Sequence, residues 1–302
     1  MSSQQHAYAA AGAAIFFWAT VATAFKLSLR SIDFLDLLAV SSLSSCLTLA
    51  AVLAVQRKLA GVLSWPAREY AHSAMLGALN PLLYYLVLFK AYSLLPAQEA
   101  QPLNYTWPLV LVLLSALVLR QRVSARILVA LLVSFAGVVL ISTHGEVFSL
   151  RFSDPFGVAL AIGSSVIWAT YWIMTMKDER GPVERLLVNS IFGTAFVAVL
   201  YVVSGRFRML PVEGIIGGVY VGIFEMGVAF VLWLRALHFS KTTAMVGNLV
   251  FLSPFLSLLV IHFVLGEAVR PSTIAGLVLI VGGILIQQTA RRPVALETDT
   301  YG

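Results

Sequence analysis

Phe135-Ala136-Gly137-Val138-Val139-Leu140 in the first half of the chain reads in register with Val281-Gly282-Gly283-Ile284-Leu285-Ile286 in the second. At the same offset Trp107-Pro108 meets Ser253-Pro254, Leu119 meets Leu265, and Gln121 meets Glu267. Earlier in each half, Trp18-Ala19-Thr20 recurs as Trp168-Ala169-Thr170. Self-similarity at a long, fixed offset marks a duplicated unit. A single three-residue match is what chance gives in so apolar an alphabet; several matches in register are harder to obtain that way. The chain divides on this reading into residues 1–148 and 149–302.

Working outward, each half holds five apolar runs bounded by charged residues or by Pro and Gly. They lie at about 8–28, 34–55, 71–90, 98–119 and 126–143, then at about 156–176, 184–204, 214–236, 243–265 and 271–289. A helix needs roughly 20 apolar residues to cross the hydrocarbon core. The expected fold is therefore all-α: a polytopic membrane protein of ten transmembrane helices with no soluble domain. Five is an odd number. A second copy that starts after five crossings enters the bilayer from the opposite face, so the halves are inverted repeats. Such repeats give many secondary transporters two similar states around a site at the bilayer midplane.

Composition agrees. Of 302 residues, 60% are hydrophobic and 11% charged, against about 25% charged in soluble domains; mean hydropathy is +0.91. Disorder, collagen, a coiled coil and a secreted disulfide scaffold are excluded by these values. The lone Cys46 cannot form an intrachain bridge. Residues 1–14 carry no Lys or Arg, so the first run reads as a retained helix rather than a signal peptide. With the N-terminus placed in the cytoplasm, 13 Lys and Arg fall in inside connections and 7 outside, which predicts that both termini are cytoplasmic. The net charge of +6 is scattered over connections and forms no nucleic-acid-binding patch.

Several polar, aromatic and helix-breaking residues fall at mid-span: Trp18, Asn80-Pro81, Trp107-Pro108, Trp168, Glu225 and Ser253-Pro254. Tryptophan ordinarily favours the headgroup interface, so deep Trp18, Trp107 and Trp168 are expected to line a protein cavity. Asn80 and Tyr84 stand at i,i+4; Trp168, Tyr171, Trp172 and Thr175 share one helical face; Tyr105 neighbours Trp107. With Asn248 in the ninth run, these are the candidate solute-binding residues. Ordinary helix packing is the alternative for each ring. Pro81, Pro108 and Pro254 are each expected to kink a span and free a carbonyl one turn earlier. Glu225 is the one carboxylate near the centre of a run. A charge there costs roughly 2.5–3.5 kcal/mol on insertion scales, so it should face the bundle interior, for proton coupling or recognition of a substrate amine. A neutral Glu bonded across a helix pair is the alternative. Glu99, Lys90 and Lys26, near helix ends, are expected to snorkel to water. Glu267 reads as a helix-end feature. Gly214, Gly218 and Gly222 form a stripe suited to close helix packing, and Ser41, Ser42, Ser44 and Ser45 do similarly.

Phe263-Val264-Leu265-Gly266-Glu267, followed by Gly276-Leu277-Val278-Leu279-Ile280-Val281-Gly282-Gly283, resembles the closing signature of drug/metabolite transporter (EamA-type) repeats. The first half carries Gln121 where the second has Glu267. Asn104-Tyr105-Thr106-Trp107-Pro108 further resembles the aromatic amino-acid exporter branch, YddG-type. The resemblance implies a bacterial inner-membrane carrier that exports amino acids, aromatic ones in particular. Export of other small metabolites or drugs is the alternative within the same superfamily. A membrane enzyme is the rival class, but no G-x-S-x-G, H-E-x-x-H or P-loop occurs, and no span holds clustered carboxylates. No cofactor and no metal site is expected: His72 and His262 lack companions. The expected partners are a small-molecule amino acid and the lipid bilayer; oligomeric state is not readable.

Overall fold

The computed structural model describes residues 3–118, 125–148, 153–175, 178–206, 208–240, 246 and 248–289. Among the described residues all regular structure is helical. Seven helices are long and apolar enough to cross a membrane: α1 (Ser3–Leu29), α2 (Phe34–Val55), α3 (Ala67–Leu94), α6 (Ala125–Ser142), α7 (Pro155–Thr175), α8 (Pro182–Val203) and α9 (Val212–Phe239). The fourth apolar run is in two pieces, α4 (Ala97–Asn104) and α5 (Trp107–Val118). The ninth and tenth form shorter apolar helices, α10 (Leu249–Leu265) and α11 (Pro271–Thr289). Leu119, Arg120, Gln121, Arg122, Arg151, Lys177, Lys241, Arg291 and Arg292, used in the repeat match and the charge asymmetry, lie outside the described residues.

Local chemistry sets the helix ends. Asp33 opens α2 with a capping box, accepting from Leu35 N at 3.0 Å while Asp36 Oδ2 accepts from Asp33 N at 3.2 Å. Gly266 closes α10 in the left-handed conformation, φ +71°.

Two spans are interrupted, one at Pro81 as expected and one where no proline stands. In α3 the backbone at Asn80 leaves helical geometry (φ −146°, ψ 117°) inside a widened turn over Ala78–Leu83. In α9 a widened turn covers Val221–Val228. Pro108 and Pro254, by contrast, sit in the first turn of a helical segment, where the missing N–H has no partner to lose. The mid-span kinks expected at these two prolines are replaced by breaks just before them, at Tyr105-Thr106 and in the tighter turn Asn248–Phe251.

Glycine governs the close approaches. A Cβ on Gly77 of α3 would lie on Asn189 O and within 2.8 Å of Gly193 N, both of α8. One on Gly222 of α9 would lie on Ser41 O and within 3.0 Å of Ser45 N, both of α2. Likewise a Cβ on Gly137 of α6 would stand 2.5 Å from Gly276 O of α11, and one on Gly283 of α11 would stand 2.6 Å from Ala130 O of α6. Gly214 meets Ile32 in the turn before α2 and Gly218 meets Val40 of α2, so the glycine stripe of α9 is a close-packed face, as its spacing predicted. Of the serines, Ser45 bonds across to Met226 O at 3.0 Å, and Ser44 returns to Val40 O at 2.8 Å.

Both ends of the bundle are tied by polar networks. At the end carrying the α3–α4 turn, Glu99 is buried rather than snorkelling. It contacts His144 Nε2 (2.6 Å) and Arg270 (3.5 Å) and accepts from Ser153 Oγ. Lys26 is not free either: Nζ donates to Tyr92 O (2.9 Å) and Leu95 O (2.8 Å), the open carbonyls of the α3 C-terminus. Lys90 covers the Phe34 ring at 5.0 Å. Glu267 accepts from Ala97 N (3.2 Å) and Gln98 N (3.3 Å), so it caps the N-terminus of α4. These partners are remote in sequence, which is why the expectation of solvated ends failed for Glu99 and Lys26.

At the opposite end Arg180 grips Asp178 (2.6 Å), donates to Glu69 O (3.0 Å) and Ser73 Oγ (2.7 Å), and lies over the Trp65 ring. Burial alone would raise the Asp178 carboxyl, but the hydrogen bonds and charge of Arg180, with Arg185 behind, hold it below the ordinary carboxylate range. A lowered folded-state pKa stabilises above the unfolded value, and the contribution is lost as pH falls through the folded value. Asp178→Asn is therefore expected to lower thermal stability at neutral pH and to remove part of its decline in acid. Thermal unfolding in detergent across pH 3–7 checks this.

A polar cavity between the two glycine contacts

The cavity lies between α2, α3, α7, α8 and α9. It is lined by Ser45 and Leu49, Asn80, Pro81 and Tyr85, Tyr171, Leu186, Asn189 and Ser190, and Met226 and Phe230. Its volume is about 20 Å³, room for roughly one water. The glycine contacts build it. Asn80, Pro81 and Tyr85 follow Gly77 at the same three spacings at which Glu225, Met226 and Phe230 follow Gly222. Each set thus comprises a polar residue and a wall residue within a widened turn and a ring one turn beyond it.

Glu225 is buried, 8% exposed. Tyr85 Oη donates to its Oε1 at 3.1 Å, and among the described residues Oε2 has no hydrogen-bond partner. Around it stands an aromatic shell. Trp168 stacks on Tyr84 (4.7 Å between ring centroids, 27°) and contacts Tyr171 at 5.5 Å, Phe230 at 5.6 Å and Trp172 at 6.0 Å. Trp18 meets the same Phe230 at 6.1 Å and Trp233 at 5.3 Å. Trp18 and Trp168 thus share one ring. Trp107 stacks on Trp172 at 6.4 Å.

Among the sequence candidates, Asn80 and Tyr171 line the cavity, Glu225 reaches it through Tyr85, and Trp18 and Trp168 reach it through Phe230. Tyr84 does not line it. The helical i,i+4 relation to Asn80 fails because Asn80 is extended, and the shifted register brings Tyr85 to the cavity instead. Tyr84 Oη donates to Asn104 Oδ1 (3.3 Å), and Asn104 Nδ2 to Ser164 Oγ (2.8 Å), tying α3 to α4 and α7. Tyr105 is partly buried and does not line the cavity. Trp107 and Trp172 form the outer part of the aromatic shell. The side chain of Asn248 lies outside the described residues. Ser45, Asn189, Ser190, Met226 and Phe230 were missed. Asn189-Ser190 carried a signal, a polar pair inside an otherwise apolar run. Met226 and Phe230 carried none. Among the described residues no group of three His, Cys, Asp or Glu is placed to hold a metal.

The sequence model of the EamA-like transporter family matches residues 6–143 and 155–287. The chain belongs to the EamA-like transporter family. It is a transporter-family membrane protein. An aromatic amino acid exporter, YddG, of Ancylobacter novellus is 28% identical over 225 residues, 74% of this chain and 75% of that protein. The protein of the same name from Salmonella typhimurium is 26% identical, covering 65% and 69%. An uncharacterized transporter of Clostridium kluyveri is 26% identical over 58% of each chain, so that match spans little more than half of the relative. A solved crystal structure, 24% identical, superposes with a TM-score of 0.66 over 94% of this chain and 96% of its own; this is a likeness of fold.

Proposed function

We propose that this EamA-family chain is a secondary transporter that exports amino acids, aromatic and hydrophobic ones above all, by alternating access through the cavity at Glu225. The observation that carries the reading is a buried carboxylate with one oxygen unpartnered, set within an aromatic shell at mid-span. An oxygen left so costs about 1–3 kcal/mol or more, which a bound ammonium or proton would offset. The exporter relatives in Ancylobacter and Salmonella support the solute class.

Alternating access is supported by the packing. We read the helices as ten spans in two inverted five-helix repeats, residues 1–148 and 149–302, in a bacterial inner membrane with both termini cytoplasmic. On that reading the Gly137–Gly276 contact becomes the Gly283–Ala130 contact when the halves are exchanged, and Gly77 on α8 becomes Gly222 on α2. Contacts that map onto one another are what a twofold axis produces. The axis would pass near Ser134, whose hydroxyl donates to its counterpart's carbonyl, Ile280 O, at 3.2 Å. Two states related by exchange of the halves then have similar energies.

Counterflow into proteoliposomes tests the function. Preloaded phenylalanine is expected to drive saturable uptake of labelled phenylalanine with no chemical change. Tryptophan and tyrosine should compete about ten- to a hundredfold better than alanine, because a buried ring adds about 1.5–3 kcal/mol. Aromatic competition no better than alanine or a sugar would remove the solute assignment, and product formation would point to an enzyme.

A further inference from the structure

On the α8 side of the cavity, across from α9, stand groups that the carboxylate reading does not use. Asn189 is 2% exposed, and among the described residues neither Oδ1 nor Nδ2 has a hydrogen-bond partner. Asn80, 8% exposed, has an unpartnered Oδ1. The Tyr171 and Ser190 hydroxyls line the same cavity. Among the described residues no Lys or Arg lines the cavity. Buried amides are nearly always satisfied. Two on facing helices, both directed at one cavity, form a place for a polar group that the protein itself does not supply.

We propose that Nδ2 of Asn189 of α8, with the hydroxyls of Tyr171 and Ser190, forms a subsite that reads the carboxylate of the solute through uncharged donors. Glu225, bonded to the lining residue Tyr85 and standing behind it, takes the ammonium end once Tyr85 moves aside, so the pair sets the polarity of the bound molecule. The class of ligand follows: a zwitterion with a free α-carboxylate is preferred over its ester, its amide or the decarboxylated amine. The cavity holds only water-sized space here, so solute enters as the Tyr85 and Phe230 walls part. This inference rests on the amino-acid reading above.

The test compares phenylalanine, phenylalanine methyl ester and phenethylamine as competitors of labelled phenylalanine counterflow. In the wild-type protein phenylalanine should compete at least about tenfold better than either analogue, the scale of a hydrogen-bonded charged group. In Asn189→Ala that preference should fall to within about twofold, and Ser190→Ala should move it the same way by less. The melting temperature of Asn189→Ala in detergent should be equal to or above wild type, because an unpaired buried amide has been removed; a purely structural asparagine would lower it and leave the preference intact. Retention of the full carboxylate preference in folded Asn189→Ala and Ser190→Ala overturns the subsite while leaving the carrier reading in place. Absence of counterflow with all three compounds in wild type overturns both.

Discussion

Glu225→Gln is expected to lower transport of amine-bearing solutes by about ten- to a hundredfold, the loss of a charge-assisted hydrogen bond. The substitution keeps the shape and the hydrogen bond with Tyr85, and it removes only the charge and the exchangeable proton. The unpartnered Oε2 is the atom at issue. Two assays separate its possible roles. Counterflow needs no net driving force, so it falls if the carboxylate holds the ammonium and survives if the carboxylate only carries a proton. Accumulation driven by a pH gradient falls in both cases. Should both assays run at wild-type rate with wild-type pH dependence, Glu225 is a neutral packing residue, which would falsify its functional role.

The second large effect concerns the glycine contacts. Gly77→Val and Gly222→Val are each expected to abolish accumulation of folded protein. Each added side chain meets backbone of the neighbouring helix, Asn189 O with Gly193 N in one case and Ser41 O with Ser45 N in the other. Backbone cannot move aside as a flexible side chain can, and overpacking already costs about 1–3 kcal/mol where some relaxation is possible. Gly12 and Gly163 are the internal comparison. A Cβ at either meets nothing within 4 Å, so Gly12→Ala and Gly163→Ala should leave yield and size-exclusion profile unchanged. Fluorescence-detected size exclusion of the four variants reads the difference. Equal tolerance at all four positions would mean that the close approaches do not hold the bundle together.

Much of this was legible because membranes constrain sequence tightly. Apolar run lengths and charged boundaries located the helices, and the stripe of Gly214, Gly218 and Gly222 located a packed face that meets α2 and the turn before it. Trp168 with Tyr171 and Trp172 came together as their spacing required. Failures cluster where the backbone leaves regular helix. Asn80 is extended, and one shift of register exchanges Tyr84 for Tyr85 at the cavity. Glu99 was misjudged for another reason: its partners His144, Ser153 and Arg270 come from distant turns, and a carboxylate's burial depends on partners that local pattern cannot name. Asn189 was passed over because a single amide in an apolar run fits packing as well as binding until a cavity is seen beside it.

The central claim is one solute pocket reached in turn from both sides of the membrane. The direct measurement is labelling of Met226→Cys, a cavity-lining position, in a Cys46→Ser background, with an impermeant thiol reagent. The reagent is applied to intact cells and, separately, to inverted vesicles. Modification from both faces is predicted, slowed in each case by saturating phenylalanine. Modification from one face only, or an unchanged rate with phenylalanine present, contradicts the account.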